Sequence, residues 1–145
     1  MFELFQNLGL GMSTVMKTVW MAVPYLGITL PVPVNILLCF TGCLVGTLIG
    51  VLPGVGPIAT IAMLLPITFG LDPVGALIML AGIYYGAQYG GSTTAILVNI
   101  PGEATSVVTA LDGHMMARNG RAGVALGIAA IGSFIAGCIA TIVIA

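Results

Sequence analysis

The chain has 145 residues, 59% of them hydrophobic and only 5% charged, with a net charge of −1 and a mean hydropathy of +1.22. A soluble domain carries about 25% charged residues, because its surface must be solvated; three basic and four acidic side chains exclude a water-soluble body of this size. A nucleic-acid partner is excluded too, since no basic patch could neutralise phosphates.

Lipid is the solvent that fits this surface. Uncharged stretches run from Lys17 to Asp72, from Pro73 to Gly102 and from Ala122 to Ala145, room for about four passes of about 20 residues each. They are continuously apolar rather than alternating, which predicts helices instead of barrel strands. The fold class read here is an all-α integral membrane protein, a multi-span helical bundle with broken or re-entrant helices and no strand. Helices are expected near 3–20, 35–52, 58–69, 74–89, 93–99, 103–118 and 122–145.

From the N-terminus, Phe2, Phe5, Met12, Met16 and Val19 recur at helical spacing, and Glu3, Gln6, Ser13 and Lys17 fall largely opposite. Residues 1–25 are therefore expected to form an amphipathic interfacial helix on membrane lipid, with Trp20 and Tyr25 at headgroup depth. The same pattern also fits an ordinary packed helix of a larger assembly. Prolines in LPVPVN (30–35) then hold the chain out of helix.

The first span carries Gly42, Gly46, Gly50 and Gly54, a smooth ridge that lets another backbone approach closely. Gly82, Gly86 and Gly90 repeat the device. Each ladder is expected to run into a break, the first at LPGVGP (52–57), the second at YGGSTT (89–94) with NIPGEAT (99–105) beyond it. The 58–69 segment between them is short enough to be re-entrant, and Asp72 is expected to cap the helix beginning at Pro73.

A break at membrane depth frees amides and carbonyls that lipid cannot satisfy, so it persists only against protein or a water-filled cavity. Paired breaks point to a transporter's substrate site. Gly90 and Gly91 let the backbone come close to a ligand, and Ser92, Thr93 and Thr94 add hydroxyls. A helix restarting there would aim amides at a carboxylate, or hydroxyls and carbonyls would hold Na⁺. The hydroxyls equally suit capping or bonding to a neighbouring helix.

Residues 103–123 read as a solvated connector with His114 on its surface; Lys17, Arg118 and Arg121 are all expected on the cytoplasmic side. Cys39, Cys43 and Cys138 lie in apolar stretches and read as small buried hydrophobes rather than metal ligands. No nucleophile–base pair stands out, so the chain does not read as an enzyme. Its end at TIVIA falls inside an apolar stretch and reads as a span cut short.

The run from Gly46 to His114, continuing from Met116 to Gly137, resembles the large, TctA-type membrane subunit of tripartite tricarboxylate transporters. The likeness rests on LPGVGP, YYGAQYGGSTT, NIPGEA and LDGH in order and spacing, and extends more weakly to the N-terminal helix. It departs at Met115, where the resemblance leads one to expect proline. It implies a multi-pass permease of the bacterial inner (plasma) membrane, without cofactor, taking up tricarboxylates or related carboxylates by symport with Na⁺ or H⁺. Its partners would be a small membrane subunit and a periplasmic solute-binding protein. Such subunits are several times longer, so residues 26–145 are expected to be the N-terminal part of a truncated permease domain. Carried onto this chain, the candidate substrate and ion residues are Gly54, Gly56, Gly90, Gly91, Ser92, Thr93, Thr94 and Asn99. The two breaks should converge near the bilayer midplane. A non-transporting assembly subunit held by glycine-ridged helices is the alternative.

Overall fold

The computed structural model describes residues 2–17, 19–23 and 28–144. Helix α1, Phe2–Val15, is followed by two antiparallel strands, β1 (Val19–Val23) and β2 (Ile28–Val32), with Val19 opposite Val32 and Val23 opposite Ile28. The hairpin corrects the expectation of helix to residue 20 and of no strand. Val19, Val23, Ile28, Thr29 and Val32 are β-branched, and Pro31 lacks the amide a helix needs. Trp20 therefore sits in β1, and Tyr25 lies outside the described residues.

The remainder is helical. Helix α2 spans Val34–Gly50, and α3 spans Pro57–Leu64 and tightens into a 3₁₀ turn over Leu65–Gly70. Helix α4 spans Pro73–Val98 and α5 spans Ser106–Met116; a π turn, Ala117–Arg121, leads into α6, Ala122–Ile144. Asp72 caps α4 as expected, its carboxylate accepting from the Gly75 amide at 3.2 Å with Pro73 behind it.

Helices α2 and α4 form the packed centre, and their glycines explain why. A Cβ on Gly42 would strike the Met79 carbonyl, one on Gly46 the backbone of Ile83, and one on Gly50 the backbone of Ala87. From the other side, Gly82, Gly86 and Gly90 meet the carbonyls of Cys39, Cys43 and Thr47. Both series climb together, so the two helices run parallel with interlocking ladders. Gly54 is not a rung, because α2 has ended; it turns the chain at φ 81.

A parallel pair requires a return. Gly75 lies against Leu38 and Asn35, so α4 starts at the level where α2 starts. Residues Pro57–Gly70 thus travel back along α2. A 3₁₀ turn rises about 2.0 Å per residue against 1.5 Å in an α-helix, and that extra rise lets so short a segment cover the distance.

Beyond α4 the chain turns at Asn99, which adopts the left-handed conformation (φ 59, ψ 29). It dips back so that Gly102 meets Gly91 and Thr105 meets Gln88. Helix α5 then climbs beside α4 until Gly113 packs on Ile96, and the His114 Nδ1 lies 3.0 Å from the Ile96 carbonyl oxygen. The expected solvated connector is therefore a packed helix, with His114 half-buried against the end of α4. After a bend at Asn119 and Gly120, α6 descends; Ala125 and Ala129 flank Ile96, and Ser133 and Cys138 share a groove with Tyr89 and Tyr85.

This path overturns one expectation about charge. Lys17 lines a cavity with Asn35 and Asp72 at the starting ends of α2 and α4, whereas Arg118 and Arg121 follow α5 beyond the opposite end of α4. The basic residues occupy opposite ends of the bundle. By length and composition, the helical run Ser106–Ile144 is long and apolar enough to cross a membrane; Val34–Gly50 and Pro57–Gly70 are shorter apolar helices.

Candidate functional site around the Leu52 to Pro57 break

The first expected break is present. Proline and glycine end α2 at Gly50, and α3 begins only at Pro57. Along the bundle axis it falls short of the end of α4, because Gly50 is level with Ala87 and Gly90 while α4 continues to Val98, and residues 51–54 are exposed. Eight residues of helix remain above that level, about 12 Å at 1.5 Å each.

Of the two stretches expected to form the second break, YGGSTT is helical and NIPGEAT is the break. Helix α4 runs unbroken through Tyr89–Thr94. The hydroxyls of Ser92, Thr93 and Thr94 donate to the carbonyls of Gln88, Tyr89 and Gly90, four residues back, so no backbone group is released. Gly90 and Gly91 are held in helix by close packing, Gly90 on Thr47 and Gly50, Gly91 on Gly102. The break falls instead at Ile100–Thr105, where Pro101 stops the helix.

The two broken segments nevertheless meet. Thr94 Oγ1 lies 2.9 Å from the Val51 carbonyl oxygen, one of those freed where α2 ends, and 3.1 Å from its own Gly90 carbonyl, so its single proton is shared between α4 and the first break. A Cβ on Gly56 would stand 3.6 Å from Glu103 Cβ. Ser106 closes the start of α5, its hydroxyl donating to the Glu103 carbonyl at 2.9 Å and accepting from the Glu103 amide at 3.2 Å. The starts of α3 and α5 and the end of α2 thus gather around Gly90–Thr94.

Of the sequence candidates, Gly56, Gly90, Gly91 and Thr94 come together here. Gly54 faces open space, and Asn99 forms the turn above. Sequence reasoning missed Gln88, Glu103 and Thr105. Gln88 Nε2 donates to Thr105 Oγ1 at 3.3 Å, and Thr105 donates onward to Glu103 Oε1. An acidic residue two places after a helix-ending proline was the available signal.

Thr94→Val is expected to destabilise the full-length protein by about 0.5–1.5 kcal/mol, because the part-buried bond to the Val51 carbonyl is lost. Thr94→Ser should retain most of that stability. Thermal unfolding in detergent reads the difference; equal melting of the two variants would show that the bond contributes nothing.

Broken helices that meet against packed protein recur in membrane transporters. The tripartite tricarboxylate transporter TctA family model matches residues 36–145, and the chain belongs to that family of transporter components. It is also 61% identical, over all 145 residues, to a protein of Agrobacterium vitis described as "Uncharacterized 52.8 kDa protein in TAR-I ttuC' 3'region". The chain spans 26% of that relative's length. No solved structure matches it.

Proposed function

We propose that this chain is part of the permease subunit of a secondary transporter that takes up tricarboxylates or related carboxylates across the bacterial inner membrane. A periplasmic binding protein delivers the substrate, a small membrane subunit completes the complex, and an ion gradient supplies the driving force. Helices α2, α4 and α6, with the return Pro57–Gly70, are the passes. At 1.5 Å per residue the 26 residues of α4 are about 39 Å long, enough for a hydrocarbon core of about 30 Å.

The observation that carries this reading is the meeting of both broken segments beside Gly90–Thr94. A polyanionic substrate entering the membrane must exchange its water for donors and positive potential. With Lys17, Arg118 and Arg121 at the bundle's ends, backbone amides and helix starts at Pro57 and Ser106 are the donors at hand. The assembly-subunit alternative is weaker, because the two glycine ladders close on each other and leave none of their ridge for a partner.

Cells lacking their own carboxylate uptake, given the full-length gene with its two partner genes, should accumulate radiolabelled citrate or a C4 dicarboxylate. Accumulation should collapse when an ionophore dissipates the ion gradient. Cells that take up no carboxylate with all three components present would refute the proposal.

A further inference from the structure

We propose that Glu103, Thr105 and Gln88 form the binding site for an alkali cation of Na⁺ size, with Glu103 supplying the countercharge; this rests on the ion-driven permease reading above. The argument starts from depth. Gly102 seats on Gly91, seven residues before the end of α4, which places the adjoining Glu103 about 10 Å inside that end at 1.5 Å per residue. Glu103 is half-buried at that level, with Thr105 exposed beside it, and an ionisable side chain at membrane depth is costly unless a partner neutralises it. The chain's basic residues are Lys17, Arg118 and Arg121, and all belong to the ends of the bundle.

Hydrogen bonding around Glu103 also has a direction. Thr105 has one hydroxyl proton, and it goes to Glu103 Oε1. Thr105 Oγ1 must then accept from Gln88, which fixes the Gln88 amide with its nitrogen toward Thr105. That leaves Gln88 Oε1 buried and without a hydrogen-bond partner. A buried oxygen without a donor is disfavoured unless a cation meets it.

The Gly50 carbonyl oxygen, at the end of α2, lies 3.8 Å from where a Cβ on Gly102 would stand and 4.0 Å from one on Gly91. Carboxylate, amide, hydroxyl and freed carbonyl oxygens are the ligands that hard cations take. A proton on Glu103 would reverse this chain of donors, Glu103 to Thr105 and Thr105 to the Gln88 amide oxygen, and varying pH and Na⁺ separately distinguishes the proton from the metal cation.

The test uses purified full-length protein. Its melting temperature is measured in NaCl and in choline chloride at equal ionic strength, across a pH range, for wild type, Glu103→Gln and Gln88→Leu. Wild type should melt higher in Na⁺. Glu103→Gln, which keeps the side chain's shape and removes the uncompensated charge, should melt above wild type in choline but need at least tenfold more Na⁺ for the same shift; Gln88→Leu should fall between. If Glu103→Gln responds to Na⁺ as wild type does, or if wild type shows no Na⁺ shift, the site is refuted. A wild type that responds to pH alone, with that response lost in Glu103→Gln, would overturn the alkali-cation assignment in favour of a proton. Carboxylate uptake by the wild-type complex is measured in parallel. A sodium site without any uptake would leave the site standing and refute the permease reading; uptake with an unaltered Glu103→Gln response would do the reverse.

Discussion

Gly86→Val in the full-length protein should insert into the membrane yet fail to hold α2 against α4, with a loss of about 3 kcal/mol, the upper range for overpacking a close contact. A Cβ there collides with the Cys43 carbonyl oxygen and would lie 2.8 Å from the Thr47 amide nitrogen. Both obstacles are backbone of a facing helix and cannot rotate away. Gly127→Val is the control, since a Cβ at Gly127 meets nothing within 4 Å, and surface changes of that kind stay within about 0.5 kcal/mol. Thermal unfolding in detergent separates the two. Equal melting curves would mean that α2 and α4 do not interlock.

Gly102→Ala should cut carboxylate uptake more than tenfold while leaving the protein in the membrane, and Gly91→Ala should keep at least half of it. The asymmetry comes from the two approaches. A Cβ on Gly102 would lie 2.9 Å from Gly91 Cα, whereas one on Gly91 would find Gly102 Cα at 3.6 Å, an ordinary contact. Alanine at 102 lifts the dip off α4 and carries Glu103 and the start of α5 with it. Valine at 91 should behave like alanine at 102, because its γ-carbons reach the same backbone. Tenfold in rate corresponds to about 1.4 kcal/mol, a modest demand on a displaced loop. Radiolabelled uptake, normalised to protein in the membrane fraction, is the measurement, and a more damaging Gly91→Ala would overturn the asymmetry between the two glycines.

Much of the site was legible because its signals are local. LPGVGP disrupts helix wherever it is placed, and Asp72 before Pro73 is an N-cap in any context. YGGSTT misled for a physical reason. Two glycines and three hydroxylated residues weaken an isolated helix, but packing against α2 holds the glycines in place and back-bonding satisfies the hydroxyls. Pro101 was the stronger breaker, and the chain breaks there. The hairpin was missed because its β-branched residues sit between a helix and a proline linker, where no period-two pattern is long enough to read.

By itself the sequence determined the solvent, the helical class, the family and the positions of proline and glycine, since these depend on composition and on the short-range sterics of each residue. The tertiary structure alone decided which glycine meets which carbonyl, that α2 and α4 run parallel, and that the basic ends lie apart. It also decided that Glu103 sits half-buried beside Gly56 and Thr105, with Gln88 bonded to Thr105. The difference is one of range. A helix break follows from neighbours one to four residues away, whereas the depth of a side chain depends on how far an intervening return segment travels before the next helix begins, and that is set by packing between residues about forty positions apart in the chain.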